Sequence, residues 1–303
     1  MTTAGTHAVR TSGLGRRHGG TRALRDCSLT VEPGSVVALT GAPGAGKSTL
    51  LGLLAGLDLP SEGTAEVLGA PVPTGGPHPA VGYLDQSRPL PGGFTVAETL
   101  RLGAALNPGR WDDGRAADLA GPLPPASRTS ALSGGQRAML ALALVLGTGP
   151  DLLLLDEPLA GLDPLTRRRV LAAVTAHVAE TGATAVLASH EVEDLQDSCD
   201  RVLFLDRGRV LLDGDVDDLL TGHRILDGPA GAAAWSAEHT VVEQRVHGRD
   251  QTVLVRGGPI GPAPGWRVSA PGLLDVVMAY LRAAEDRSDD CSDDRSDEAK
   301  ETR

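Results

Sequence analysis

The sequence has very little lysine, few cysteines and no long apolar run. Of its 28 lysine and arginine residues, 26 are arginine and only Lys47 and Lys300 are lysine. The three cysteines, Cys27, Cys199 and Cys291, lie far apart without a Cys-x-x-Cys pair, which predicts free thiols in a reducing compartment. No apolar signal core follows the first residues, and no run approaches the roughly 20 apolar residues of a membrane helix. We therefore expect a cytoplasmic chain that does not itself cross a membrane.

The net charge of −11 argues against a nucleic-acid-binding surface as the main function. Residues 285–303 contain nine acidic and four basic residues, a net charge of −5, and almost no apolar side chain. Such a segment cannot offset its ordering entropy, so we predict a disordered acidic tail. The length of 303 residues predicts one large domain with an appended unit.

The stretch "LTGAPGAGKSTLL" at residues 39–51 matches the phosphate-loop pattern G-x-x-x-x-G-K-S. A β-branched run before it predicts a buried strand, and "KSTLLGLLAGL" after it predicts a helix. Glycines let successive backbone N–H groups converge on one hollow, which suits a polyphosphate. In a chain that otherwise uses arginine, Lys47 indicates a position that needs a compact ammonium to reach the β and γ phosphates. The predicted loop comprises Gly41, Ala42, Pro43, Gly44, Ala45, Gly46, Lys47, Ser48 and Thr49.

A second motif, "DLLLLDEPLAGLDP" at residues 151–164, reads as a strand buried on both faces that ends in two carboxylates. Asp156 would bind Mg²⁺ together with the Ser48 hydroxyl, and Glu157 would polarise the attacking water. Alternatively, the two carboxylates only cap the following helix. The phosphate-loop motif that contains Lys47 makes this alternative less favoured.

A third motif, "ALSGGQRAML" at residues 131–140, predicts a second anion site. Ser133, Gly134 and Gly135 precede an almost wholly apolar helix, so their polar groups would lie at its positive end. One chain needs only one site for one γ-phosphate. The second site therefore suggests that two chains pair head to tail.

With these motifs, residues 14–220 resemble the ATP-binding cassette (ABC) family, and "LSGGQ" at residues 132–136 is its signature. The resemblance implies an α/β P-loop NTPase core, RecA-like with an antiparallel β subdomain, together with a helical subdomain. It implies that ATP, with Mg²⁺, lies between the phosphate loop of one cassette and the signature of another, Gln136 included. By position, Gln86 would contact Mg²⁺ and face a transmembrane partner. Asp163 would reach across the dimer, and His190 would contact the γ-phosphate.

The sequence departs from the family pattern at His18, in "GRRHGGTRAL". Family members usually place a larger aromatic residue here to stack on adenine, and an imidazole offers a smaller π-face. We expect His18 to stack on the base with weakened selectivity, so that GTP competes with ATP.

The predicted domains are an ATP-binding domain at residues 8–222, with a helical subdomain at about 87–146, and a C-terminal α+β accessory domain at 223–284. The accessory domain is predicted from the strands "HTVVEQRV", "QTVLVRG" and "WRVS" and the helix "GLLDVVMAYLRAAE". One face of that helix, formed by Val276, Val277, Tyr280 and Leu281, is expected to pack inside the unit.

The resemblance predicts an ATPase that dimerises around ATP and drives a separate membrane permease from the inner face of the plasma membrane. Its second cassette would be another copy of the chain or a paralogue, and no nucleic-acid partner is expected. "FTVAETLRL" and "NPGRWD" resemble the ABC-2 branch, whose members are mostly exporters, and the appendage is shorter than that of sugar importers, so efflux is predicted. Two alternatives stay open: an importer ATPase, and a soluble ABC-type ATPase that acts on DNA or ribosomes.

Overall fold

The computed structural model describes residues 7–72, 76–191, 195, 198–261 and 264–298. The chain forms two compact units, Met1–Val210 and Leu211–Arg303. The strands that begin in the first unit are β1 (Val9–His18), β2 (Thr21–Val31), β3 (Val36–Thr40), β4 (Glu62–Val67), β5 (Ala70–Pro71), β6 (Val81–Leu84), β7 (Leu152–Asp156), β8 (Thr184–Ser189), β9 (Arg201–Asp206) and β10 (Arg209–Asp215). Its helices are α1 (Lys47–Leu54), α2 (Val96–Leu106), α3 (Asp113–Ala120), α4 (Gly134–Gly147) and α5 (Pro164–Thr181).

A six-stranded sheet in the order β10-β9-β3-β8-β7-β6 carries the functional loops. Strand β8 lies between β3 and β7 and runs parallel to both. The carboxyl ends of β3 and β7 therefore meet at one edge of the sheet, where open α/β sheets place their ligands. The first of these ends leads into the phosphate loop, and the second carries Asp156.

The central strands are apolar because helices or other strands cover both of their faces. All five residues of β3, β7 and the whole of β8 are buried, and the four leucines of β7 are 0 % exposed. A second sheet, β2-β1-β4-β5, is antiparallel and belongs to the same hydrophobic cluster. The predicted combination of a P-loop core with an antiparallel β subdomain is confirmed.

The helical subdomain contains α2, α3 and α4. The ring of Trp111 packs against the two helices that flank it: a Cβ placed on Gly103 of α2 would lie 2.7 Å from the ring, and one on Gly147 of α4 would lie 2.8 Å from it. Glycine is therefore needed at both positions to admit the ring.

The second unit contains a four-stranded antiparallel sheet and two helices. Its elements are α6 (Val216–Thr221), β11 (His223–Pro229), β12 (Thr240–His247), β13 (Asp250–Arg256), β14 (Arg267–Ser269) and α7 (Leu273–Glu298), and the sheet order is β12-β13-β11-β14. The three predicted strands are confirmed, and β11 is an addition. On α7, Val276 and Val277 are buried, as expected of a packing face.

Two boundaries differ from those predicted from sequence. The units divide after Val210, earlier than residue 222, because α6 packs against β11 and α7 of the second unit. Helix α7 continues to Glu298, past residue 285 where the disordered tail was predicted to begin, and neither glycine nor proline interrupts residues 285–298. Residues 299–303 lie outside the described residues. Within the described chain, no helix is both long enough and apolar enough to cross a membrane.

Candidate functional site

The phosphate loop joins β3 to α1 and wraps around the side chain of Lys47. Three glycines of the loop have a positive φ, 148° at Gly41, 82° at Gly44 and 110° at Gly46. Lys47 Nζ donates to the carbonyl oxygens of Gly41 at 2.7 Å and Ala42 at 3.3 Å. Beside the loop is a space of about 340 Å³, here called the phosphate cavity. It is lined by Ala23, Pro43, Gly44, Gly46, Lys47, Ser48, Thr49, Gln86, Glu157 and His190.

Lys47 is a largely desolvated cation that faces two carboxylates. It is 6 % exposed, and its Nζ lies 3.9 Å from Glu157 Oε1. Burial lowers the pKa of Lys47, while the charges of Glu157 and Asp156 oppose that shift. An ammonium in such surroundings interacts strongly with an anion that enters the cavity, because little water screens it.

The carboxylate of Glu157 is held in place by side chain and backbone contacts. The residue is 7 % exposed, and its Oε2 lies 3.0 Å from His190 Nδ1. Its backbone has φ = 48°, a left-handed conformation that costs energy for a residue with a Cβ. The amide of Glu157 donates to the carbonyl of Ala188 at 3.1 Å. Strain that the surroundings maintain in this way is common at catalytic positions.

Asp156 and Ser48 form a pair suited to a small hard cation. Both residues line the same space, and Asp156 Oδ1 is buried and has no hydrogen-bond partner within the described chain. Burial raises the pKa of Asp156, and this outweighs the opposing effect of the nearby Ser48 hydroxyl. A buried carboxylate oxygen without a donor fits Mg²⁺, which takes only one or two protein ligands together with water and phosphate oxygens. The described residues contain no cluster of three or more His, Cys, Asp or Glu, and such a Mg²⁺ site requires none.

A neighbouring space of about 520 Å³, the His18 cavity, shares Ser48, Thr49 and Gln86 with the phosphate cavity. His18 lies on its wall, and His18 Nε2 is 3.9 Å from Asp58 Oδ2. The ring is therefore next to the phosphate loop and about half exposed, while its stacking on a base stays a prediction.

The signature residues form a third cavity that shares no lining residue with the other two. Ser133 and Gln136 make a reciprocal capping box at the start of α4: Gln136 N donates to Ser133 Oγ at 3.2 Å, and Ser133 N donates to Gln136 Oε1 at 3.0 Å. Asp163 caps α5, and the Thr166 hydroxyl that donates to it helps lower the pKa of Asp163. This signature cavity, of about 460 Å³, is lined by residues that include Ser133, Gly134, Gly135, Gln136, Gly161 and Asp163.

The predicted residues are thus divided between two half-sites. Of the loop residues, Gly41, Ala42 and Ala45 do not line the phosphate cavity, and the first two instead present their carbonyls to Lys47. Sequence reasoning missed Arg88, whose guanidinium reaches the backbone beside Glu157. No sequence motif identifies Arg88, because it lies two residues after Gln86 in a segment whose sequence is typical of a surface turn.

Comparisons with known proteins agree with this geometry. The ABC transporter family model matches residues 24–160. The "Aliphatic sulfonates import ATP-binding protein SsuB 1" of Burkholderia lata is 39 % identical over 254 residues, which cover 83 % of this chain and 73 % of the relative. The relative of the same name from Rhodococcus jostii is 37 % identical over 230 residues, which cover 75 % of this chain and 89 % of its own.

Solved structures share the same fold. "Structure of ATP binding subunit of ABC transporter" superposes with a TM-score of 0.62 at 26 % identity and covers 70 % of this chain and 91 % of that one. "Dimeric Structure of MJ0796, a Bacterial ABC Transporter Cassette" superposes with a TM-score of 0.62 at 22 % identity and covers 69 % and 98 %.

Proposed function

This chain belongs to the ABC transporter family, and we propose that it is the ATPase subunit of an uptake system. As an ABC cassette it binds ATP with Mg²⁺, hydrolyses it, pairs with a second cassette and couples hydrolysis to transport through a separate permease. The observation that carries the assignment to this site is the convergence of Lys47, Glu157 and His190 on one cavity, beside the Ser48–Asp156 pair.

Uptake is proposed in place of the predicted efflux because the relatives, 37–39 % identical over most of this chain, are named as import proteins. One of the two segments that suggested an exporter has a local packing role: "NPGRWD" places Trp111 between Gly103 and Gly147. The relatives' names make an aliphatic sulfonate the first candidate cargo, and the cargo pocket would lie in the permease.

In the proposed hydrolysis, Lys47 neutralises phosphate charge, and Glu157 orients a water and takes its proton as the oxygen attacks the γ-phosphorus. The bond to the ADP oxygen breaks. His190, 3.0 Å from the Glu157 carboxylate, holds that carboxylate in place and lies where it can contact the γ-phosphate. Ser48 and Asp156 would hold Mg²⁺, whose charge supports the phosphates.

The test is ATPase activity of the purified chain, with and without proteoliposomes that carry the permease encoded beside it. We expect stimulation by the permease and an about 10²-fold lower rate in Glu157→Gln, judged from the loss of one preorganised catalytic group elsewhere. Vesicles of defined orientation should then move an alkanesulfonate toward the ATPase face. Movement away from that face would support an exporter. A hydrolysis rate that the permease does not change, but that DNA or ribosomes stimulate, would favour the soluble alternative.

The second cassette is proposed to be another copy of this chain. Lys47→Ala disables a phosphate loop and Ser133→Arg blocks a signature, so each variant alone should be inactive. A mixture of both variants should regain activity. With random pairing, half of the dimers contain both variants, and each of these has one intact composite site out of two, so about a quarter of the wild-type activity is expected. A mixture as inactive as its components would indicate a paralogous partner cassette.

A further inference from the structure

Arg88 connects the turn that carries Gln86 to the backbone of the catalytic segment. Its Nη2 donates to the carbonyl oxygens of Glu157 at 3.0 Å, Pro158 at 3.0 Å and Ala160 at 3.1 Å. The residue is 9 % exposed and does not line the phosphate cavity. Any effect of Arg88 on bound nucleotide must therefore be indirect, through residues 157–160 or through the turn that carries Gln86.

The turn that presents Arg88 is well ordered by its own hydrogen bonds. Ser87 N and Ser87 Oγ donate to Asp85 Oδ1 at 2.7 and 2.5 Å, and Arg88 N donates to the Asp85 carbonyl at 2.9 Å. Arg88 itself has φ = 48°, a costly conformation for a residue with a long side chain. Gln86 lies inside this turn, so Arg88 and Gln86 are held by the same backbone.

The guanidinium is buried without a carboxylate partner in the described part of the chain. Its hydrogen bonds go to neutral carbonyls, its Nε has no partner there, and burial lowers the pKa of Arg88. Burying a charge without a carboxylate partner is unfavourable. Methionine or leucine would avoid that cost but would leave the three carbonyls without this donor, so what arginine contributes here is its contact with residues 157–160.

The contacts of Arg88 complete the support of Glu157. The Glu157 amide donates to Ala188 on one side, and Arg88 donates to the Glu157 carbonyl on the other. We propose that Arg88 is a positioning residue that maintains the left-handed backbone of Glu157 and transmits movement of the Gln86 turn to residues 157–160. The proposal rests on the proposed role of Glu157 in hydrolysis.

The test is a kinetic comparison of Arg88→Met and Arg88→Lys with wild type. A small misplacement of a catalytic group can cost about 10²-fold in rate, so we expect kcat of Arg88→Met to fall roughly 10- to 100-fold. The affinity for ATP should stay within about twofold, because the arginine does not line the cavity. Arg88→Lys retains a charged donor and should recover part of the loss. It also serves as the test variant if Arg88→Met fails to fold.

A double variant separates positioning from general destabilisation. In the Glu157→Gln background, single-turnover hydrolysis should change less than about twofold on adding Arg88→Met, because the group that Arg88 positions no longer acts as a base. Arg224→Met is the matched control: Arg224 Nη1 also donates to three carbonyls, those of Leu220, Thr221 and His223, but in the second unit. Its kcat should equal that of wild type.

Three results would overturn the proposal. These are an unchanged kcat in Arg88→Met, a loss of ATP affinity as large as the loss of kcat, and losses from Arg88→Met and Glu157→Gln that multiply in the double variant. If wild type hydrolyses ATP and Glu157→Gln does not, while Arg88→Met is as fast as wild type, only this inference fails. If wild type shows no hydrolysis with or without the permease, the proposed function fails, and the inference fails with it.

Discussion

One added methyl group should affect mainly stability at one glycine of the phosphate loop and mainly ATP binding at another. A Cβ on Gly46 would lie 2.6 Å from the carbonyl oxygen of Ala23 and 2.8 Å from Leu24 Cδ2, and the φ of 110° lies outside the regions open to alanine. The carbonyl belongs to β2 and cannot move aside freely. Strain of this kind costs about 1–3 kcal/mol, and the contact adds to it, so we expect Gly46→Ala to lose about 3 kcal/mol of unfolding free energy.

Gly44 is the matched position with open space. A Cβ there meets nothing within 4 Å, and φ = 82° is close to the left-handed region, so Gly44→Ala should lose only about 1–2 kcal/mol. Gly44 lines the phosphate cavity, however, and the methyl group narrows the approach of a phosphate to the loop. We expect about tenfold weaker ATP binding, equivalent to about 1.4 kcal/mol.

The assays are thermal and chemical unfolding followed by circular dichroism, and titration with a fluorescent ATP analogue. For a unit of this size, a loss of about 3 kcal/mol corresponds to a fall of about 6–12 °C in Tm, and a loss of about 1–2 kcal/mol to a fall of about 2–8 °C. The steric reasoning would be refuted if Gly46→Ala were as stable as Gly44→Ala, or if Gly44→Ala bound ATP as tightly as wild type.

Three further changes test other parts of the first unit. Burial and the charges of Asp156 and Asp85 raise the pKa of Tyr83 to about 12. The unfolded phenol ionises from about pH 10, whereas the folded one stays neutral up to about pH 12. The free energy of unfolding should therefore fall as the pH rises from about 10 to about 12. Tyr280→Phe retains only Tyr83, so its absorbance titration should show the high pKa. Tyr83→Phe should lose less stability at alkaline pH than wild type. Asp156→Asn removes a desolvated charge, so the nucleotide-free protein should be at least as stable as wild type by urea unfolding, while Mg²⁺-dependent hydrolysis falls about 10²-fold. Trp111→Ala leaves a void between α2 and α4 and should cost about 2 kcal/mol in the same unfolding assay, with ATP affinity unchanged.

Much of the first unit could be predicted because its signals are local. The run of leucines in β7 reads as a strand buried on both faces, and a glycine-rich loop between a strand and a helix has one common architecture. The second unit was harder. Strand β11, "HRILDGP", mixes polar and turn-forming residues and is held mainly by its pairing with β13 and β14. Pairing between distant segments leaves no local pattern in the sequence.

In the candidate site, too, some residues could be predicted from sequence and others could not. Lys47, Asp156 and Glu157 follow from motifs, since the chemistry demands those residue types at those spacings. Arg88 does not, because its role depends on which carbonyls its side chain meets after folding, and those lie 69 or more residues away in sequence. For the tail, composition and chain geometry point in different directions: its composition is typical of disorder, while helix α7 meets no glycine or proline before Glu298.

Residues 157–163 run from one half-site to the other, and this placement gives Arg88 its importance. Glu157 lines the phosphate cavity, and Gly161 and Asp163 line the signature cavity. Arg88 holds the carbonyls at the start and middle of this segment. When a second cassette contacts the signature cavity, any displacement of Asp163 acts on a segment anchored to the Gln86 turn. Because this one segment joins the two half-sites and Arg88 links it to the Gln86 turn, we expect closure of the dimer and alignment of Glu157 to occur together.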